Sequence, residues 1–371
     1  MNLSYWEYKT WLGHIDYTII GSGIVGLNCA LRLRERFPQA NILVLEKGIL
    51  PQGASTKNAG FTCFGSISEI LSDLRVHSEE EVFQLVQKRW DGVQLLRRNL
   101  GDLEIDYQNH GGHEVFLQEH GELYQQCSEG MERVNKLLKP IFKSDCFKSH
   151  PNIFNFEKVR KNYISSSFEG QINTGRMMDA LLRKVYHAGI RVLNSITVDT
   201  FAETGNGVAL KTDQFELKTQ KLLIATNGFA AQLIKEDVKP ARAQVLITKP
   251  IKNLTIKGTF HLEEGYYYFR NIDNRILFGG GRNLDFKGEE TTNFGETGLI
   301  QQRLEDLLRT VILPRTPFEI DLRWSGIMGI GTQKKPIVKP VSDRVFCGVR
   351  MGGMGIAIGS IVGRDLADLL N

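Results

Sequence analysis

The stretch that most restricts this chain is Gly21-Ser22-Gly23-Ile24-Val25-Gly26, which ends an apolar, β-branched run (Asp16 to Ile20) and opens a helical pattern reaching Arg36. A second apolar run, Asn41 to Leu45, follows. Strand, tight turn, helix and strand in this order make a βαβ unit, in which a crossover helix joins two parallel strands. Gly21 permits the turn, Gly23 lets the backbone approach a pyrophosphate, and Gly26 lets helix pack closely on strand. Ser22 and Ile24 complete a helix N-terminus whose unpaired N–H groups suit phosphate. Glu46 closes the second strand twenty residues after Gly26, where its carboxylate can accept the ribose hydroxyls of an adenosine. The motif predicts a dinucleotide and leaves NAD and FAD unseparated.

A chain of 371 residues is long enough for two domains. Its net charge of +4 is spread without a run of like charges, which argues against a nucleic-acid or membrane patch and for small-molecule partners. The cysteines, Cys29, Cys63, Cys127, Cys146 and Cys347, are odd in number and form no C-x-x-C pair, so neither a disulfide framework nor a zinc site is indicated. His110-Gly111-Gly112-His113-Glu114 lacks a third ligand, and no metal is expected. The N-terminus is not a basic stretch leading into an apolar core, and no segment is long and apolar enough to span a bilayer, so the expected location is the cytoplasm. The sequence is silent on oligomeric state.

Beyond the first unit, Gly48 to Gly65 is polar and turn-prone and reads as a functional loop. Ser78 caps a predicted helix to Leu100, with Glu79, Glu80 and Glu81 in its first turn. Tyr107 to Leu117 alternates like a strand, and Gly130 to Leu138 and Arg176 to His187 have helical spacing. Lys221 to Thr226 reads as a buried strand ending at Asn227-Gly228, Gly298 to Leu313 as a helix, and Gly352 onward as a loop leading into a last, buried helix. The fold class is α/β. A Rossmann-like nucleotide domain, residues 1–75, 166–236 and 318–371, is expected to interleave with an α+β substrate domain built on a mixed β-sheet, residues 76–165 and 237–317.

Four further motifs follow in order: Ser55-Thr56-Lys57-Asn58-Ala59-Gly60-Phe61; Leu223-Ile224-Ala225-Thr226-Asn227-Gly228; Tyr267-Tyr268 with Ile276-Leu277-Phe278-Gly279-Gly280-Gly281; and Gly352-Gly353-Met354-Gly355. Together with the glycine loop they resemble the D-amino-acid oxidase family of FAD enzymes over nearly the whole chain, weakest between Ser78 and Ser165. Within it the chain is most similar to the branch of γ-glutamylputrescine oxidases and related amine oxidoreductases, through Tyr5-Trp6 and Trp324-x-Gly326. The resemblance implies FAD, held by Gly21, Ser22, Gly23, Ile24, Gly26, Glu46, Lys47, the loop Ala54, Ser55, Thr56, Lys57, Asn58, Ala59 and Gly60, then Val198, Thr226, Asn227, Gly228, Gly326, Gly353, Met354, Gly355 and Ile356. No cysteine lies between Trp324 and Pro340, so the flavin is expected to be non-covalent.

The resemblance further implies hydride transfer to flavin N5 from the carbon beside an amine nitrogen, giving an imine that water hydrolyses. The protein's tasks would be positioning and desolvation. Tyr266 and Tyr268 alternate onto one strand face, with Arg270 two further along, and are the expected pocket walls with Met328 and Arg350. Where simple amino-acid oxidisers of the family clamp a carboxylate with Arg or Lys, this chain has Phe64, Met328 and Ala357. That disfavours a small amino acid and leaves Arg270 and Arg350 to meet an acidic group further along the substrate. Leu277 replaces the oxygen-activating lysine of some family oxidases, so either oxygen or an electron carrier can be the acceptor. The rival readings are a flavoprotein modifying a tRNA base side chain, which calls for a basic face, and a flavin-binding redox sensor without turnover.

Overall fold

The computed structural model of the protein describes residues 3–370; Met1, Asn2 and Asn371, the outermost residues of the expected nucleotide domain, lie outside the described residues. After a short helical turn, α1 (Tyr5–Glu7), the chain enters β1 (Ile15–Ile20), the middle of an eight-stranded sheet. The parallel neighbours of β1 are β2 (Ile42–Leu45) and β11 (Glu216–Ile224). Beyond these lie β8 (Arg191–Leu193) on one side and β18 (Val345–Val349) on the other, both parallel. All four residues of β2 and all five of β18 are buried, as strands covered on both faces must be. An antiparallel edge strand, β17 (Ile337–Pro340), and a hairpin of β9 (Val198–Thr204) and β10 (Gly207–Thr212) complete the sheet.

Helix α2 (Ile24–Arg36) covers one face and packs against α8 (Gly355–Asp368), whose buried residues point in all directions because α4 (Glu79–Leu100) lies on its other side. Ser78 caps α4 through a reciprocal pair of hydrogen bonds with Glu81. Val93 and Leu96 of α4 join the core of α2 and α8, while Val82 and Val86 at its other end pack with α3 (Ile67–Asp73) and α5 (Gly121–Phe142), so this helix bridges two cores.

The second eight-stranded sheet has the order β16-β12-β15-β14-β13-β4-β6-β5. Its members are β4 (Gly112–Glu114), β5 (Lys148–Pro151), β6 (Asn162–Ser166), β12 (Lys239–Thr248), β13 (Thr259–Leu262), β14 (Tyr267–Ile272), β15 (Arg275–Gly280) and β16 (Ile320–Ile330). It is mixed, with β4 parallel to β13 and the other pairs antiparallel. Because β16 pairs with β12 along nearly its whole length, the chain returns to the nucleotide sheet only after Ile330, twelve residues later than the boundary expected at 318. Only Gly112–Glu114 of the strand expected at Tyr107 to Leu117 forms, because its ends bridge elsewhere, Gln108 to Gln171 and Leu117 to Val159. The helix expected at Gly130 is longer, α5 (Gly121–Phe142), and packs on α3 (Ile67–Asp73). A small ribbon, β3 (Phe61–Thr62) with β7 (Gly170–Gln171), stands between the sheets. The remaining helices are α6 (Thr174–His187) under α2 and α7 (Gly298–Leu307) against the second sheet.

Candidate active site

The C-terminal ends of β1, β2 and β11 stop in register, Ile20 opposite Leu45 and Ile224. Beside these ends lies a cavity of about 1010 Å³ whose lining also includes residues of the second sheet. Carboxyl ends of parallel strands are where open α/β sheets bind ligands. Gly21 turns with φ +102°, and a β-carbon there would come within 2.8 Å of the Ala225 carbonyl oxygen. Gly26 packs its helix so closely that a β-carbon would sit 1.9 Å from the Gly21 carbonyl oxygen. Gly21, Gly23 and Ile24 line the cavity, whereas Gly26 and Ser22 do not.

Ser22 instead orients Glu46: its N–H (3.0 Å) and hydroxyl (2.8 Å) donate to Oε2, and the Gly48 N–H donates to Oε1 at 3.0 Å. Glu46 lines the cavity with the exposed Lys47 and with Val198. Within the following loop, the Ser55 hydroxyl accepts the Ile24 N–H at 2.9 Å, placing an oxygen at the start of α2. Ala54, Ser55, Lys57, Asn58, Ala59 and Gly60 line the cavity. Thr56 is exposed, donates its hydroxyl to the Pro51 carbonyl at 2.7 Å and does not line the cavity. Lys57 lays its ammonium over Phe294, 5.3 Å from the ring centre.

Thr226 lines the cavity with a buried hydroxyl that has no hydrogen-bond partner among the described residues. Asn227, at φ +46°, accepts the Met351 N–H at 3.1 Å. Gly228 packs against the Met328 carbonyl and is a spacing residue rather than a contact. Gly326 lies beside Lys57, and Gly353, Met354, Gly355 and Ile356 bring the start of α8, which has no side-chain cap, to the same cavity. Two helix N-termini, an oriented carboxylate and an unpartnered hydroxyl along one cavity suit a dinucleotide that carries negative charge in two places, as FAD does when reduced.

The other end is built on a single row across the second sheet. Trp324, Val245, Gly279, Tyr268, His261 and Glu114 stand directly opposite one another on successive strands, so their side chains share a face. Gly279 leaves room for the Tyr268 ring, 2.7 Å from where a β-carbon would be. Val245, Tyr268 and His261 line the cavity with Phe61, whose ring meets His261 edge-on at 5.4 Å. Burial alone would lower the His261 pKa, but the Glu169 carboxylate 3.1 Å from Nε2, with Glu69 and Glu114 behind it, raises it to about 9. Burial holds the Glu114 carboxyl up at about 7 against the Ser68 donors that favour its charge. The Tyr268 phenol is pushed up to about 12 by burial.

Tyr266 lies just outside β14, 39% exposed, and Met328 faces Gly353; both line the cavity. The two arginines expected there do not. Arg270 shares the Tyr268 face, but β14 carries it past the end of the cavity, where its guanidinium donates to the Ile172 (2.8 Å) and Gly60 (3.4 Å) carbonyls behind the wall. Arg350 has φ +67°, which turns its side chain away to the Asp237 carboxylate (2.6 Å) and the Lys335 carbonyl (2.9 Å). Residues that the motifs did not announce, among them Glu69, His261, Glu264, Arg282, Asn293 and Phe294, also line it. His261 alternates in Thr259–Leu262 like any strand residue, and only the pairing of β13 with β14 brings it beside Tyr268. Arg282, directly after Gly279-Gly280-Gly281, is the one with a local signal. Among the described residues no group of His, Cys, Asp and Glu is arranged to hold a metal, and no helix is long and apolar enough to cross a membrane.

The family model for FAD dependent oxidoreductases (DAO) matches residues 16–369. The γ-glutamylputrescine oxidoreductase of Escherichia coli is 21% identical over 96% of this chain and 83% of its own length. The probable oxidoreductase OrdL of Haemophilus influenzae is 19% identical over 97% of this chain and 84% of its own length. The glycine oxidase of Geobacillus kaustophilus shares the fold with a TM-score of 0.76, at 18% identity over 95% of this chain and 94% of that one. The chain thus belongs to the DAO family of FAD-dependent oxidoreductases.

Proposed function

We propose that the protein oxidises the C–N bond of a primary or secondary amine or of an N-substituted amino acid, yielding an imine that water hydrolyses. FAD, when bound, supplies the acceptor for the two electrons of a C–H bond beside nitrogen. The observation that carries this reading is that Val245, Tyr268 and His261 line the same cavity as the glycine loop and the start of α8. Gly23, Ile24, Ser55 and Glu46 hold the nucleotide's phosphates and ribose, and the free N–H groups at the start of α8 favour negative charge, by about 0.3–1 kcal/mol and up to ~2 when partly buried. Phe61, Tyr266, Tyr268 and Met328 exclude water and orient the reacting carbon, which is the main demand when no strong base is needed. The names of two relatives, γ-glutamylputrescine oxidoreductase and glycine oxidase, support amine chemistry.

The test is an anaerobic titration of the yellow holoprotein with amines and N-substituted amino acids. The expected result is loss of flavin absorbance with at least one of them. Recovery on readmitting air identifies oxygen as an acceptor, and persistence of the bleached state identifies a carrier. A flavin that no amine reduces contradicts the reading and favours a redox sensor.

A further inference from the structure

Five charged side chains, Glu69, His261, Glu264, Arg282 and Lys334, line the cavity away from the nucleotide loop. Two are neutralised within the protein, His261 by Glu169 and Lys334 by Asp73. The other three are not. Glu69 uses Oε2 to accept the Ser66 N–H at the start of its own helix (2.9 Å), and its carboxylate lies against Gly265. Glu264 makes no hydrogen bond or ion pair with any described residue. It sits in the turn from Leu262 to Gly265, closed by the Gly265 N–H on the Leu262 carbonyl at 3.1 Å, with φ +51° at Glu263 and +54° at Glu264. Left-handed pairs of this kind ordinarily take Asn-Gly. His261 lines the same end and is 5% exposed.

Arg282 lies beside Tyr266, on the segment that follows β15, whereas Glu69 stands on α3 and Glu264 in the turn between β13 and β14. Arg282 follows Gly281, whose N–H donates to the Tyr266 carbonyl at 2.9 Å. Its guanidinium lies 4.7 Å over the Phe286 ring, which meets the Tyr266 ring at 5.9 Å. No carboxylate of the described residues pairs with it; Glu289 and Glu290 act on it only at a distance. Unpaired charges of opposite sign on one partly desolvated cavity, kept from meeting, are costly alone and are neutralised together by a ligand bearing both.

We propose that the substrate is bipolar: its nitrogen is received by Glu69 and Glu264, and a carboxylate further along its chain is held by Arg282. An ω-amino acid carries its two charges apart, as these groups stand on separate elements without pairing, whereas an α-amino acid carries both on one carbon and a simple amine leaves Arg282 unpaired. The inference rests on the amine-oxidation reading for the identity of the nitrogen. The charge pattern stands apart from that reading.

The experiment measures dissociation constants from perturbation of the flavin spectrum of the holoprotein, with four five-carbon probes: δ-aminovalerate, pentylamine, cadaverine and norvaline. δ-Aminovalerate is expected to bind about tenfold more tightly than the others, the scale of one charge pair that is not fully desolvated. Arg282→Met is expected to abolish that advantage and leave pentylamine within about twofold, while Arg282→Lys retains part of it. Glu69→Gln with Glu264→Gln weakens δ-aminovalerate and pentylamine together; glutamine preserves the cap that Glu69 provides. Equal binding of pentylamine and δ-aminovalerate to the wild type overturns the proposal, as does an equal loss of both in Arg282→Met. Because binding is read without turnover, a charge preference with no bleaching overturns the oxidation reading alone, and bleaching with no preference overturns this inference alone.

Discussion

Gly26 has no room for a side chain, since the Gly21 carbonyl oxygen occupies the place of its β-carbon at 1.9 Å. Gly26→Ala is therefore expected to cost about 1–3 kcal/mol through overpacking and to lower flavin content, measured by thermal melting and absorbance. This residue, Gly21, Glu46 and the start of α8 were legible because their spacing is local. His261 and Glu114 were not: they meet only through the register of β4, β13 and β14, and no local pattern encodes that. Their titration makes a separate prediction. Glu114 rises from an ordinary 4.5 to about 7 in the folded protein, so the stability it contributes is complete below pH 4.5 and is lost as pH rises through 7. His261, raised from 6.5 to about 9, loses its contribution as pH climbs through 9. Glu114→Gln is expected to flatten the Tm profile between pH 4.5 and 7, a span worth about 3 kcal/mol at most, and to leave the decline toward pH 9.

Among elements, the helices were the most readable. Ser78 and Glu81 announce the start of α4, and the glycines before α8 announce a helix that must start without a side-chain cap. The segment between β15 and α7 carried no such signal, yet it places Asn293 and Phe294 on the cavity. Its anchor is Glu289, fully buried, which accepts from Arg242 at 2.7 and 2.8 Å and from Gln244 at 3.0 Å. Removing one partner of a buried ion pair leaves the other charge stranded. Glu289→Ala is expected to destabilise by about 3 kcal/mol or more and to speed proteolytic cleavage within residues 285–297, followed by mass spectrometry. Unchanged cleavage would show that the segment is held by other contacts.

Across the whole molecule, the fold class and the interleaving of two sheets could be read from the order of motifs, because the nucleotide pieces lie at the beginning, middle and end of the chain. The boundaries could not. β16 carries alternating and apolar residues that suit either sheet, and only its pairing with β12 decides; α4 is amphipathic on its own, and its contacts, Gly92 against the Ala357 backbone and Val82 and Val86 against α3 and α5, divide it between two cores. Because the cavity is walled by both sheets, a ligand that fills it ties them together. FAD at a hundred times its dissociation constant is expected to stabilise the protein by about 2.7 kcal/mol, read as a Tm that rises with added FAD in flavin-stripped protein. A Tm indifferent to FAD would show that the native chain does not bind it in preference to the unfolded one.

The most direct measurement of the central claim is the flavin content of the purified protein, released by acid and separated from the precipitated chain. The account predicts close to one FAD per chain, all of it in the supernatant. A colourless protein that rebinds no FAD, or a flavin that stays with the precipitate, would contradict it.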